Sequence, residues 1–192
     1  MQFPLSLTFK VVALAPQISV MDANDNELCY VRQKLFKLRE NISVFRDASK
    51  SQLISQIQAD RIIDFSASYS FIDGEGNTYG SVKRRGFRSI WRTRYEIYEG
   101  TQSYTIQEGN PWVKILDGLV GEIPILGAFT GYFLNPHYDV IDTSGQTCYK
   151  LTKKPSFFGR RFILEKLTQS DEDDLLIVMS IIMMTLLERR RG

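Results

Sequence analysis

The feature that most constrains the fold of this chain is an apolar run near its end, at residues 175–187. A helix built from this run has apolar side chains around nearly its whole circumference, so it must be surrounded by lipid or by protein. At about 1.5 Å per residue it would be roughly 20 Å long. A helix needs about 20 residues to cross the roughly 30 Å core of a bilayer. The run therefore predicts a helix enclosed by protein, and no transmembrane span.

The composition is that of one folded domain. Of the 192 residues, 43% are hydrophobic and 24% are charged, which is ordinary for a globular protein. The net charge of +2 gives no overall attraction to nucleic acid or membrane, so an electrostatic function needs local clustering. Cys29 and Cys148 supply no disulfide framework and are expected to be reduced thiols in the cytoplasm. The first ten residues alternate like a strand and do not resemble a signal peptide.

A strand–turn–strand pattern recurs along the chain. In each copy, two apolar residues at period two lead to a turn with acidic residues, Gly, Asn or Ser, and a second strand-like run follows. The copies begin at Ile18, Ile42, Tyr69, Tyr95 and Tyr138, and a degenerate sixth begins at Phe162. Six hairpins predict about a dozen strands.

Antiparallel strands with one apolar face must close or stack, because exposed edges promote aggregation. A barrel of a dozen strands is too wide to be filled by its own side chains, and the apolar helix has a suitable length to fill it. We therefore predict a mainly β fold with one domain over residues 1–192. It would be a closed antiparallel barrel of about twelve strands around a central hydrophobic C-terminal helix at about residues 173–188.

Several motifs, taken in order, resemble those of a known family. They lie at residues 30–36, 72–77, 80–84, 138–142 and 158–164, and in the Asp173-Asp174 pair that leads into the apolar run. Together they resemble the LURP-one-related family of the tubby C-terminal-like superfamily, which is related to phospholipid scramblases. The resemblance covers nearly the whole chain and implies a twelve-stranded barrel around a central helix.

The resemblance implies a non-enzymatic module that binds a ligand on its outer face. The ligand would be an anionic phospholipid or phosphoinositide headgroup, or a protein partner at the membrane surface, which suits a cytoplasmic or peripheral membrane protein. The chain departs from scramblases because it lacks their Pro-rich tail and Cys-rich palmitoylation stretch. These departures argue against lipid transport.

The densest basic cluster is the candidate lipid-binding site. It consists of Lys83, Arg84, Arg85, Arg88, Arg92 and Arg94, with no acidic residue among them. Arg and Lys pair well with phosphate, and each one near an anionic membrane contributes about 1 kcal/mol. Trp91 is suited to a membrane interface. The alternative is that the basic residues are the solvated faces of two strands, with Trp91 in the barrel wall or lumen.

The other charged segments have structural explanations. Two further basic groups are Lys150, Lys153, Lys154, Arg160 and Arg161, and Arg32, Lys34, Lys37 and Arg39. Lysines of this kind commonly guard strands against edge pairing. The acidic segment at residues 171–174 lacks the spacing of a calcium loop. We interpret it as a cap on the helix, with Arg189 to Arg191 at the other end.

We expect no catalytic site, cofactor, metal site or nucleic-acid partner. His137 is the only histidine, and a zinc site would need more Cys and His ligands. Neither cysteine lies in a nucleophile motif, and Cys29-Tyr30 and Cys148-Tyr149 hold equivalent places in two hairpins, which indicates packing. Two alternatives stay open. One is a scramblase-like membrane protein with residues 175–187 in lipid, and the other is an enzyme or small-molecule-binding protein with a pocket near residues 112–137.

Overall fold

A computed structural model of the protein describes residues 1–10, 16–33, 41–60, 67–85, 94–109, 137–155, 160–169 and 174–189. These residues form twelve β-strands followed by one α-helix. The strands are β1 (Leu5–Phe9), β2 (Gln17–Met21), β3 (Glu27–Gln33), β4 (Asn41–Phe45), β5 (Leu53–Ala59), β6 (Ser68–Asp73), β7 (Thr78–Arg84), β8 (Arg94–Glu99), β9 (Gln102–Glu108), β10 (His137–Ile141), β11 (Thr147–Lys154) and β12 (Arg161–Lys166). The helix is α1 (Asp174–Arg189).

The twelve strands form a closed barrel in which every neighbouring pair is antiparallel. Each strand pairs with the strands before and after it in sequence, and β1 pairs with β12 to close the ring. The predicted mainly β fold, with about twelve antiparallel strands in a closed barrel, is confirmed. One detail was wrong: the segment expected to form a sixth hairpin is the single strand β12, whose partners are β11 and β1.

The connections give the barrel two different ends. Short turns join β2 to β3, β4 to β5, β6 to β7, β8 to β9 and β10 to β11. Because the strands alternate in direction, all five turns lie at the same end, here called the turn end. The remaining connections join the strands at the opposite end, here called the loop end. The position of a residue along its strand therefore tells which end it is near.

Four of the five short turns are built around an aspartate: Asp22, Asp47, Asp73 and Asp142. In each, the carboxylate accepts a hydrogen bond from the amide two residues further on, at 2.8–2.9 Å. The residue three positions after the aspartate has a positive φ, and a register shift precedes each turn. The repeat in the sequence is thus one Asp-centred turn with a β-bulge, used four times.

The aspartate turns are expected to make the stability of the barrel sensitive to acid. Hydrogen bonds lower the pKa of three of these aspartates. For Asp22 and Asp73 the largest effect comes from the amide four residues further on, and for Asp142 it comes from the Ser144 hydroxyl. A carboxyl group whose pKa is lower in the folded state than in the unfolded state stabilises the fold. Its full contribution is present above the unfolded pKa of about 4. The added stability is lost as the pH falls through the folded pKa. The free energy of unfolding, measured by chemical denaturation, should therefore fall as the pH drops below about 4.

A variant with Asp22→Asn, Asp73→Asn and Asp142→Asn keeps the Oδ1 atom that accepts from the turn amides and removes the charges. Its free energy of unfolding should fall less steeply over the same pH range. An equally steep fall in the variant and the wild type would contradict the assignment of the acid sensitivity to these turns.

Every strand contributes to the inner wall of the barrel. One fully buried apolar side chain per strand, in order from β1 to β12, is Leu7, Val20, Val31, Val44, Ile57, Phe71, Val82, Ile97, Ile106, Val140, Leu151 and Leu164. Alternate residues of each strand face inward because side chains in a strand point to opposite faces in turn. The core therefore lies in the lumen and continues around the whole ring.

The helix α1 fills this lumen. All its residues from Leu176 to Leu186 are buried, on every side of the helix, whereas a helix packed on the outside of a sheet keeps one face exposed. Leu176 lies so close to Gly80 of β7 that a Cβ atom added to Gly80 would clash with the Leu176 side chain. The Arg189 guanidinium lies 5.5 Å from the centroid of the Phe9 ring on β1, at the opposite wall. The predicted central helix is confirmed, with ends within one residue of those expected.

Polar side chains hold both ends of α1. At the turn end, the Asp174 carboxylate accepts hydrogen bonds from the Tyr149 hydroxyl at 2.6 Å and from Lys166 Nζ at 2.7 Å. At the loop end, the Tyr95 hydroxyl donates to Glu188 Oε1 at 2.9 Å. An acidic residue in the first turn and Arg189 in the last also complement the helix dipole. The polar ends of the helix thus reach the two rims.

Candidate anion-binding face of the barrel

The predicted basic cluster lies where β7 ends and β8 begins, at the loop end. The structure describes four of its six members, Lys83, Arg84, Arg85 and Arg94, while Arg88 and Arg92 lie outside the described residues, as does Trp91. The Arg85 amide donates to the Arg94 carbonyl at 3.1 Å, so the two strands stay paired up to the last described residue of each. The four described side chains therefore have a fixed place on a regular ladder.

Strand alternation puts three of the four on the outside of the barrel. Val82 and Ile97 face each other across β7 and β8 and are fully buried. From there toward the loop end, outward positions hold Lys83, Arg85 and Arg94, and all three side chains are exposed. Lys83, Arg85 and Arg94 are called the outer basic face below.

One carboxylate lies within the outer basic face. Glu96 is the cross-strand neighbour of Lys83 and forms an ion pair with Arg85, with Nε and Oε1 at 2.5 Å. Its other oxygen accepts a hydrogen bond from the Tyr98 hydroxyl at 2.6 Å, and this bond raises the pKa of Tyr98. The sequence cluster had no acid within it, so Glu96, two residues beyond Arg94, was missed. It neutralises one of the three cations and orients the Arg85 guanidinium.

Arg84 does not belong to the outer basic face, because it points into the mouth of the barrel. Its guanidinium lies 6.0 Å from the centroid of the Tyr95 ring, and Tyr95 is fully buried. Among the described residues, its buried Nε atom has no hydrogen-bond partner. Burial and the nearby Glu188 charge hold the pKa of Tyr95 well above its ordinary value. Arg84 thus packs over the ring that anchors the end of α1.

The two other basic groups lie partly at the same end. Lys154 and Arg161 face each other across β11 and β12, outside the barrel, and both are exposed. Arg32 is exposed near the end of β3. Lys150 lies midway along the wall, beside Asp139 and Glu165. Lys34, Lys37 and Arg39 lie outside the described residues.

The described charges divide between the two ends of the barrel. The turn end holds Asp22, Asp25, Glu27, Asp47, Asp73, Glu75, Glu99, Asp142 and Asp174, against Arg46, Lys50 and Lys166. The loop end holds Lys10, Arg32, Lys83, Arg84, Arg85, Arg94, Lys153, Lys154, Arg160, Arg161 and Arg189, against Asp60, Glu96, Glu108 and Glu188. Among the loop-end charges, the exposed side chains are Lys10, Arg32, Lys83, Arg85, Arg94, Lys154, Arg161 and the acidic Asp60. The described barrel is therefore acidic at one end and basic at the other.

Contrary to the expectation from the sequence, Cys29 and Cys148 do not hold equivalent positions in their hairpins, because their registers differ by one residue. Cys29 is the cross-strand partner of Val20, whereas the corresponding partner of Val140 is Tyr149 and not Cys148. A shift of one residue moves a side chain to the other face of a strand. Both thiols are buried, and burial raises the pKa of Cys29 to about 12. A thiol with so high a pKa is a poor nucleophile at neutral pH.

The other predicted features are described only in part. Residues 112–136 of the possible pocket and residues 171–173 of the acidic segment lie outside the described residues. His137 packs against Gly109, and its Nε2 lies 3.9 Å from the Asp139 carboxylate. In the described ranges, no three His, Cys, Asp or Glu side chains are grouped as a metal site requires. Among the same residues, no helix has the length and apolar character needed to cross a bilayer.

Comparison with known proteins returned no match: no protein-family model, curated protein or solved structure is significantly similar to the chain.

Proposed function

We propose that this protein is a non-enzymatic barrel module of the LURP-one-related type, within the tubby C-terminal-like superfamily. In this proposal it binds anionic phospholipid headgroups as a peripheral protein on the cytoplasmic side of a membrane. The observation that carries the proposal is the outer basic face. Lys83, Arg85 and Arg94 project side by side from two paired strands into solvent, with Glu96 as their one acidic neighbour on these strands.

The chemistry of the outer basic face suits phosphate groups. An arginine can form two parallel hydrogen bonds to phosphate, and Lys83 adds a point charge. The Arg85 side chain is 64% exposed, so its pairing with Glu96 is screened by solvent and contributes little. A phosphate can therefore compete for Arg85. At about 1 kcal/mol for each basic residue near an anionic surface, three cations support weak, reversible recruitment.

Vesicle co-sedimentation tests the proposal. The wild-type protein should pellet with phosphatidylcholine vesicles that contain phosphatidylserine or a phosphoinositide, and not with phosphatidylcholine alone. The variant with Lys83→Glu, Arg85→Glu and Arg94→Glu should bind about 100-fold more weakly, because it loses at least three interactions of about 1 kcal/mol each. Binding of the wild type should also weaken as the salt concentration rises.

A control variant carries Arg46→Glu, Lys50→Glu and Lys150→Glu. It undergoes the same change in net charge, but its altered residues lie at the turn end or midway along the wall. It should bind vesicles nearly as well as the wild type. Absence of wild-type binding above the phosphatidylcholine background would contradict the proposal. Equal losses in the two variants would mean that net charge, and not the outer basic face, drives binding.

A further inference from the structure

The division of charge between the two ends of the barrel reaches further than the outer basic face. That face occupies one wall, on β7 and β8. Exposed basic residues also lie about a third of the way around the ring at the same end, where Lys154 and Arg161 form a cross-strand pair on β11 and β12. Arg32 lies on β3, with β1 and β2 between it and β12. A single headgroup bound at β7 and β8 cannot contact all three positions.

A flat anionic surface placed across the loop end can contact all three positions at once. An extended polyanion would cross the mouth along one line and leave much of the rim uncontacted, so the distribution of the basic residues fits a plane better than a rod. The shape of the charge pattern therefore favours a bilayer over a nucleic acid.

The acidic turn end does not oppose such an arrangement. Strands of five to eight residues rise about 3.3 Å per residue, so the two ends are separated by roughly 15–25 Å. The electrostatic potential of a membrane falls off within a Debye length of about 8 Å at physiological salt. With the loop end on the membrane, the turn-end carboxylates lie beyond this distance. With the turn end on the membrane, they would be repelled.

We infer that the barrel docks end-on, with the loop end against an anionic bilayer and the turn end facing away from it. This inference rests on the proposed binding of anionic lipid and adds its geometry. The far wall, defined as Arg32, Lys154 and Arg161, then contributes to binding together with the outer basic face. Docking through the side of β7 and β8 would leave the far wall in solvent.

The far wall supplies the test, in the same vesicle assay. A variant with Arg32→Glu, Lys154→Glu and Arg161→Glu has the same change in net charge as the two variants above. End-on docking predicts that this variant binds vesicles at least about 10-fold more weakly than the wild type. The control variant with Arg46→Glu, Lys50→Glu and Lys150→Glu should keep an affinity close to that of the wild type. An unaltered affinity of the far-wall variant, beside a weakened outer-face variant, would overturn end-on docking and leave the proposed function intact. If the wild type binds no anionic vesicle, the proposed function itself fails.

Site-directed labelling gives a second readout. Cys29 and Cys148 are buried, so an introduced surface cysteine can be labelled selectively in the folded protein. Thr8→Cys lies on the outward face of β1 near the loop end, on the far side of the barrel from β7 and β8. Thr101→Cys lies in the turn between β8 and β9, at the turn end. On vesicles, a fluorophore at position 8 should be shielded from an aqueous quencher, while one at position 101 should stay accessible. Shielding at position 101 alone, or at neither position in a bound protein, would overturn the orientation.

A duplex DNA competitor tests the choice of a lipid surface. At equal phosphate concentration, the duplex should release little protein from the vesicles. Complete release would overturn the bilayer as the surface that the loop end fits.

Discussion

Ile181→Asp is expected to lower the free energy of unfolding by about 5 kcal/mol or more. Ile181 lies near the middle of α1 and is fully buried inside the ring of strands. The substitution removes a large apolar side chain from a packed core and places a carboxyl group in a fully buried site, which is costly for the charged and the neutral form alike. Domains of this kind are usually stable by only 5–15 kcal/mol. Chemical denaturation followed by circular dichroism should therefore find the variant unfolded or barely folded.

Two control variants separate burial from other effects of the substitution. Ile181→Val removes one methylene group from the same site and should cost only about 1 kcal/mol. Thr101→Asp adds a carboxylate at an exposed turn and should leave the stability within about 0.5 kcal/mol of the wild type. If Ile181→Asp proved no more costly than Ile181→Val, position 181 could not be enclosed by protein.

Much of the fold could be predicted from the sequence because its main signals are local. An apolar run without a polar face requires an apolar enclosure, whatever the rest of the chain does. The strand–turn–strand repeat is visible because each Asp-centred turn is specified within about five residues, as at Asp73 and Asp142. Counting these hairpins gave a barrel wide enough for the helix. The two local signals together therefore predicted a non-local architecture.

The errors arose where pairing between distant segments decides the outcome. The second partner of β12 is β1, at the other end of the sequence, and no local pattern indicates this pairing. The equivalence of the Cys-Tyr pairs failed because register is set across strands, and one residue of offset exchanges the two faces. The residues that hold α1, Tyr149 at one end and Tyr95 at the other, likewise make contacts over long sequence separations.

The sequence identifies the basic residues of the candidate site but not which of them share a face of the barrel. Alternation from the buried Val82 assigns Lys83 to the outside and Arg84 to the inside, but only once the strand is known to continue to that point. Glu96 meets Lys83 and Arg85 through the register of β7 with β8, so charge counting along the chain could not place it in the cluster. The basic surface on the barrel is therefore smaller than the run of basic residues in the sequence suggests, because Arg84 faces inward and Glu96 neutralises Arg85.

Deleting residues 174–192 is expected to abolish the fold of the remaining chain. The deletion removes nine apolar side chains between positions 176 and 186 that are buried in the lumen. Each such burial contributes about 1.5–3 kcal/mol, so the loss exceeds the usual total stability of a domain. The inner-wall side chains would then face an empty lumen or water. A barrel of this width cannot fill that space with its own side chains.

The most direct test of the central claim, that α1 is the core of the barrel, is denaturant unfolding of the chain truncated after residue 173. We predict no cooperative transition in the truncated chain, and recovery of the transition when it is refolded with a peptide of residues 174–192. The peptide controls for damage unrelated to the missing helix. A truncated chain that stayed soluble and unfolded cooperatively, with a midpoint near that of the full-length protein, would contradict the account.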